Sequence, residues 1–176
     1  PKAHAAAYMI SALRLGWYKV HRPLEYYAAY FTVRSDDFDG ATAIKGKEAV
    51  FRKMKDLDVK IKNREASPKE EGEFGTLQII NEMLARGIAL RPVDLYKSEA
   101  KRFVVEDGQI RLPFSSLAGV GESAALSLRE ARDEGGEYIS IDDVQARAKV
   151  SSAVIDTLRE AGSLSGLPES SQTTLF

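Results

Sequence analysis

The chain has 176 residues, of which 44% are hydrophobic and 29% are charged, a composition typical of a globular protein of one or two domains. It contains no cysteine, which excludes disulfides and thiolate metal sites and makes a reducing cytoplasm the default compartment. Residues 1–64 hold 13 Lys and Arg against 7 Asp and Glu, whereas residues 65–176 hold 12 against 19. The basic first third can therefore attract phosphate, but any DNA contact in the acidic remainder must come from local geometry.

The first half of the chain is predicted to form four helices, at about residues 2–20, 24–34, 45–64 and 67–86. Pro23 suits a first helical position, and Ser67 with Glu70 three residues later is typical of a capping box. No apolar run approaches the roughly 18 residues that a membrane span needs, so no membrane segment is expected.

The second half is predicted to open with a β-hairpin. Asp107-Gly108 is a strong turn signal between the apolar segments 102–105 and 109–112. Short helices follow at about residues 122–132, 141–147 and 152–161, and the chain from residue 165 onward resembles a flexible tail. The expected fold is mainly α with a small β-hairpin.

The segment from Leu117 to Ala125 is the most informative local motif, because its Gly-Val-Gly turn follows a strand and opens a helix. It resembles the helix-hairpin-helix element of many DNA-binding proteins. Glycines allow close backbone approach to a phosphate, and free amides at a helix start donate to anions. The alternative is a plain turn with Val120 packed in the core. The candidate DNA contacts are Gly119, Val120, Gly121, Glu122, Ser123 and Ala124.

A second helix pair, residues 141–147 and 152–161, is joined through Ala148-Lys149-Val150-Ser151. It has the layout of another hairpin element but lacks the glycines, which favours a structural role. Only Lys149 is a candidate phosphate contact there.

His4 and Tyr8 lie four residues apart and are therefore expected on one helix face. The alanines between them leave room for a planar ligand, and Lys2 adds a cation. This pattern suits a nucleotide, with its triphosphate near Lys2 and His4 and its base near Tyr8. The alternative is that these are packing residues on an Ala-rich helix.

The acidic run Asp36-Asp37-Phe38-Asp39 has the carboxylate density of a two-metal site. It lies in a loop with no strand to hold it rigid, so we interpret these residues as capping carboxylates. No catalytic residue and no metal ligand are assigned in this chain.

The chain ends in Gln172-Thr173-Thr174-Leu175-Phe176 after a linker rich in turn formers. Apolar anchors in a solvated tail are typical of peptides that dock in a partner's pocket. The Gln-x-x-Leu-Phe spacing of Gln172, Leu175 and Phe176 resembles the peptide by which bacterial replication proteins bind the sliding clamp. A frayed tail that happens to end in Leu-Phe is the alternative.

Together, four segments occur in one order that resembles the C-terminal portion of PolC-type DNA polymerase III alpha subunits, over nearly the whole chain. They are Lys2 to Tyr8, Tyr27-Ala28-Ala29-Tyr30-Phe31, Gly119-Val120-Gly121 and the terminal Gln-x-x-Leu-Phe. Thr173 departs from the leucine usual in that family, which could weaken clamp binding.

The resemblance implies three regions. Residues 1–40 would close the polymerase fingers, with Lys2, His4 and Tyr8 near the incoming dNTP. Residues 41–165 would bind duplex DNA through tandem helix-hairpin-helix units, and residues 166–176 would carry the clamp-binding peptide. The palm, with its catalytic carboxylates and Mg²⁺, would lie upstream, so no cofactor is expected in this segment of a cytoplasmic, nucleoid-associated enzyme.

Two other functions remain open from the residues alone. One is a stand-alone, noncatalytic helix-hairpin-helix adaptor of the replication or repair machinery. The other is a helical scaffold with no nucleic-acid role.

Overall fold

The computed structural model describes residues 2–171, which are mainly α-helical with a small β-sheet, as the sequence predicts. The helices are α1 (Lys2–His21), α2 (Pro23–Val33), α3 (Gly40–Ala43), α4 (Lys47–Lys62), α5 (Pro68–Ala85), α6 (Glu122–Gly135), α7 (Ile141–Ala148) and α8 (Ser152–Glu160). The strands are β1 (Leu90–Arg91), β2 (Val104–Glu106) and β3 (Gln109–Arg111), and 3₁₀ turns occupy Ser35–Asp37 and Phe114–Ser116.

Local capping signals set several helix starts. The Ser67 side chain accepts from the Glu70 amide, and the Glu70 carboxylate accepts from the Ser67 amide at 2.8 Å, which confirms the predicted capping box. The third predicted helix is shorter than expected, because Gly46 adopts φ +89 immediately before α4. The short α3, capped by Asp39, was not predicted.

The β-hairpin forms where the Asp107-Gly108 signal places it. Both turn residues have positive φ, +48 and +75, and β2 pairs antiparallel with β3. The sequence missed a third strand, since β1 is only two residues long and pairs in parallel with β3, Leu90 opposite Ile110. The sheet order is β1-β3-β2.

The hydrophobic core extends from α2 to α8. Tyr27 and Phe31 of α2 are fully buried. The ring of Phe31 packs against those of Phe38 and Phe103, with ring centroids 5.0 and 5.6 Å apart. The same core includes fully buried side chains from α5 to α8: Leu77, Ile80, Met83, Leu128, Val144 and Leu158. Since α2 belongs to this core, a division of the chain at residue 40 would cut through it.

α1 packs differently from the other long helices, because it contains no buried residue. A stripe of large apolar side chains on it is more than half exposed: Met9, Ile10, Leu13, Trp17 and Val20. No helix within residues 2–171 has the length and apolar character that crossing a bilayer requires.

Residues 166–169, which the sequence assigned to the flexible tail, are held against the helices. The amides of Ile141 and Asp142 donate to the carbonyls of Pro168 (2.9 Å) and Glu169 (3.1 Å), and Leu167 packs on the core. These contacts cross the boundary predicted at residue 165.

Candidate nucleic-acid interface

The first hairpin exposes the start of α6. Gly119 adopts φ +92, Gly121 is the residue before α6, and both are exposed. No side chain caps α6, and within the described chain the amides of Glu122, Ser123 and Ala124 have no acceptor. Three unpaired donors and the positive end of a 14-residue helix therefore face solvent.

The Gly-Val-Gly turn buries its valine, as the plain-turn interpretation predicts, and leaves the flanking backbone exposed. The Val120 side chain is 5% exposed and packs in the core, and its amide donates to the Leu117 carbonyl at 3.0 Å. Val120 therefore supports the turn and offers no donor to a ligand, contrary to its assignment as a DNA contact. The exposed backbone on either side of it carries the candidate interface.

The two glycines are needed for different reasons. Gly119 requires its left-handed backbone, which strains any residue with a Cβ. Gly121 has an ordinary φ of −68, and a Cβ there would meet nothing within 4 Å. Neither backbone nor packing within this chain demands glycine at 121. The space beside Gly121 is open to solvent.

The second hairpin repeats this geometry 30 residues later. Lys149 adopts a left-handed φ of +52, Val150 is buried and Ser151 precedes α8, matching Gly119, Val120 and Gly121 in order. Buried Ile155 and Leu158 likewise correspond to Ala125 and Leu128.

The sequence predicted this second hairpin from its layout but gave it a structural role, because the first copy carries two glycines and the second carries none. The two copies share one spacing of buried residues: a Val, an apolar residue five positions later and a Leu eight positions later. The hairpins also differ in capping: the Ser151 hydroxyl accepts from the Val154 amide at 3.4 Å, so α8 is capped while α6 is not.

Arg147 fixes the connection between the two hairpins. Its guanidinium lies 4.1 Å from the Tyr138 ring centre and closes the carboxyl end of α6. It donates to four acceptors: Ala131 O (2.7 Å), Gly136 O (3.1 Å), Glu137 O (3.2 Å) and Asp143 Oδ2 (3.2 Å). The α6–α7 connector is therefore rigid, although sequence patterns gave Arg147 no role.

Acidic groups outnumber basic groups beside the first hairpin. Lys101 Nζ lies 3.5 Å from Glu122 Oε2 and 4.0 Å from Asp36 Oδ1. A cleft of about 660 Å³ next to the hairpin is lined by further acidic groups and by Lys53 and Lys69. The hairpin therefore offers hydrogen-bond donors for an anion at a place where the surrounding side chains do not supply a positive electrostatic potential.

The acidic run 36–39 has structural partners. The Asp39 carboxylate caps α3 through the Thr42 amide (3.0 Å) and pairs with Lys53 (2.6 Å). Burial opposes ionisation of Asp39, but the hydrogen bonds from Lys53 and Thr42 outweigh it and lower its pKa. Residues 2–171 contain no group of three His, Asp or Glu side chains placed to hold a metal ion.

The three candidate nucleotide contacts lie on α1. The rings of His4 and Tyr8 meet edge to face with centroids 4.6 Å apart, as expected from their spacing. Lys2 is two residues from His4, which places it on a different side of the helix. All three are exposed, and α1 brings only His4 and Tyr8 together. The candidate clamp contacts Gln172, Leu175 and Phe176 lie outside the described residues.

Comparison with known proteins agrees with this geometry. Three relatives matched over 100% of this chain are DNA polymerase III PolC-type proteins: Halalkalibacterium halodurans (47% identity over 176 residues), Bacillus subtilis (46% over 176) and Thermotoga petrophila (42% over 182). The chain spans only 12% or 13% of the length of these relatives. Residues 87–174, which include both hairpins, match a family model described as a helix-hairpin-helix motif. The duplicated hairpin and this match together establish that the chain belongs to the helix-hairpin-helix family.

Proposed function

We propose that this chain is the noncatalytic C-terminal portion of a PolC-type replicative DNA polymerase, and that it holds the duplex of primer and template. Similarity to PolC-type proteins over the whole of this chain supports the assignment. The observation that carries it is the repeated hairpin, which presents two helix starts from one rigid core.

Each hairpin would bind a phosphate through backbone amides at the start of α6 or α8. Such contacts position a duplex without reading its bases, so binding would be independent of sequence. Lys149 would add a charged contact at the second hairpin, where it is exposed. Sequence-independent grip is what a replicative enzyme requires, since it must copy every sequence.

A salt-dependent titration of the chain with a random-sequence duplex tests this function. Gly121→Val fits the backbone and packing but fills the approach to the α6 amides. It should weaken binding about tenfold or more, since a hydrogen bond to a charged group contributes roughly 1.5–3 kcal/mol. Gly75→Val on α5 is the matched control, because a Cβ there also meets nothing within 4 Å. Equal affinities for the parent and Gly121→Val would refute the hairpin as the contact.

α1 would border the incoming dNTP in the whole polymerase. His4 and Tyr8 form an exposed aromatic pair suited to a base and a triphosphate, and Lys2 would contribute charge from another side. The apolar stripe Met9 to Val20 would be covered by the rest of the fingers, since a contiguous exposed apolar surface typically marks a contact with another surface. Steady-state kinetics of Tyr8→Ala and His4→Ala in the whole enzyme test this role through the KM for dNTP.

The remaining parts of the proposal concern partners. Gln172, Leu175 and Phe176 would dock on the sliding clamp. Mg²⁺ chemistry would belong to the upstream palm of the parent enzyme, which would act on the nucleoid in the cytoplasm. A stand-alone adaptor is the alternative, but similarity to polymerases over the whole of α1 as well as the hairpins favours the enzyme.

A further inference from the structure

α1 is joined to the rest of the molecule through one end. None of its residues is buried, and within residues 2–171 its hydrogen bonds and ion pairs to elements beyond α2 all involve Lys19. The helix therefore projects from the core with its His4 end farthest from the attachment. Its direction depends on a small number of contacts.

Four residues form a polar network at that attachment. Lys19 Nζ lies 2.7 Å from Glu82 Oε2, and the Tyr27 hydroxyl donates to Glu82 Oε1 at 3.0 Å. Arg86 donates to the Tyr27 hydroxyl at 3.1 Å and to the Lys19 carbonyl at 3.0 Å. The network thus binds α1 through both the side chain and the backbone carbonyl of Lys19.

The side of the network that belongs to the core is rigid. Tyr27 is fully buried, Glu82 lies in the last turn of α5 beside the fully buried Met83, and Arg86 is the residue that follows the helix. The hydrogen bond from Lys19 lowers the pKa of Glu82, and the same bond raises the pKa of Lys19, so both groups are charged near neutral pH.

The network is too exposed to contribute much to folding stability. The side chains of Lys19 and Glu82 retain 30% and 40% of their accessible surface, and ion pairs of that exposure contribute little. Its geometric effect is larger. His4 lies 15 residues from Lys19, about 22 Å along the helix at 1.5 Å per residue. A rotation of about 10° at the network would move His4 by about 4 Å, and misplacement of about 1 Å is enough to impair a reaction.

We propose that Lys19, Tyr27, Glu82 and Arg86 are positioning residues that set the direction of α1 relative to the hairpin-bearing core. They would thereby couple the placement of the gripped duplex to the placement of the nucleotide-binding end of α1. This inference rests on the proposed function of α1 and assigns the specific contacts that make it work.

The first arm of the test uses the 176-residue chain and its single tryptophan, Trp17, which lies on α1. Glu82→Gln removes the charge with little change in shape and should shorten the slow component of the Trp17 fluorescence anisotropy decay. Asp58→Asn is the matched control, because Asp58 pairs with Lys62 at 2.5 Å on α4, away from the network. An unchanged decay in Glu82→Gln would overturn the inference.

The second arm uses the whole polymerase and measures the KM for dNTP and the Kd for primer–template. Glu82→Gln and Lys19→Met should raise the KM about five- to tenfold and leave the Kd within about twofold, since only the α1 end is displaced. Lys19→Arg should retain a near-parental KM, because it preserves the charge and the donor. A KM that stays at the parental value in both network variants would overturn the inference.

Tyr8→Ala separates the two levels of the proposal. If Tyr8→Ala raises the KM and Glu82→Gln does not, α1 meets the nucleotide but the network does not position it, and the inference alone fails. If Tyr8→Ala also leaves the KM unchanged, α1 does not meet the nucleotide, and both its proposed function and this inference fail.

Discussion

Replacing Arg147 should destabilise the whole hairpin pair, because this residue of α7 in the second hairpin also contacts α6 of the first. Arg147→Met keeps much of the side-chain volume but removes the donor to four acceptors and the cation beside Tyr138. The side chain is 24% exposed, so part of the loss will be offset by water. The connector would lose the group that closes α6.

The size of the effect can be worked from these contacts. A hydrogen bond between a charged donor and the Ala131 carbonyl contributes roughly 1.5–3 kcal/mol, and a cation–π contact about 0.5–2 kcal/mol. The acceptors on exposed Gly136 and Glu137 can be rehydrated and add little. We expect a loss of about 3 kcal/mol in the free energy of unfolding, or roughly 6–12 °C in Tm for a chain of this size.

Urea and thermal unfolding followed by circular dichroism would measure this loss. Arg159→Met is the control, because Arg159 is 45% exposed and, within residues 2–171, its side chain pairs only with the exposed carboxylates of Asp156 and Glu169. That variant should lose less than about 1 kcal/mol. If Arg147→Met lost no more than the control, the argument that Arg147 holds the connector would be refuted.

Three further predictions concern Gly135, Glu106 and the end of the chain. Gly135→Ala would place a methyl group against the Arg147 guanidinium and should lower Tm nearly as much as Arg147→Met, whereas an unchanged Tm would show that the guanidinium moves freely. Hydrogen bonds, chiefly from Arg111, lower the pKa of Glu106 from 4.5 to about 2, so its stabilising effect is present above pH 4.5 and is lost as the pH falls toward 2. Glu106→Gln should therefore flatten the pH dependence of stability in that window, as acid titrations of Tm would show. In the whole polymerase, deleting the last two residues of this chain, Leu and Phe, should leave synthesis on short templates intact but abolish clamp-stimulated processivity. Equal product lengths with and without these residues, in the presence of clamp, would contradict the docking role.

Sequence reasoning succeeded where the deciding contacts are local. The capping box at Ser67, the Asp107-Gly108 turn and the glycine turn before α6 each depend on a few neighbouring residues, and the structure contains all three. The opening of α6 to solvent followed from the same local chemistry.

It failed where distant segments decide the outcome. The parallel pairing of Leu90 with Ile110 leaves almost no local pattern, and the capture of Pro168 by α7 depends on where the chain returns. The left-handed backbone of Lys149 was not predicted for a different reason. The buried Val150 and the helix that follows impose a conformation that lysine does not favour by itself. The layout of the second hairpin was therefore predictable, but its close match to the backbone of the first was not.

The unequal capping of α6 and α8 gives the interface a polarity. Ser151 already occupies one amide of its helix, whereas every amide at the start of α6 is open. If each hairpin contacts one strand of a duplex, as the proposed function allows, the two strands would be held with unequal strength. Such a protein could distinguish one strand from the other by the strength of its backbone contacts, without reading a base. It would then keep one orientation along a duplex whose two strands have chemically equivalent backbones.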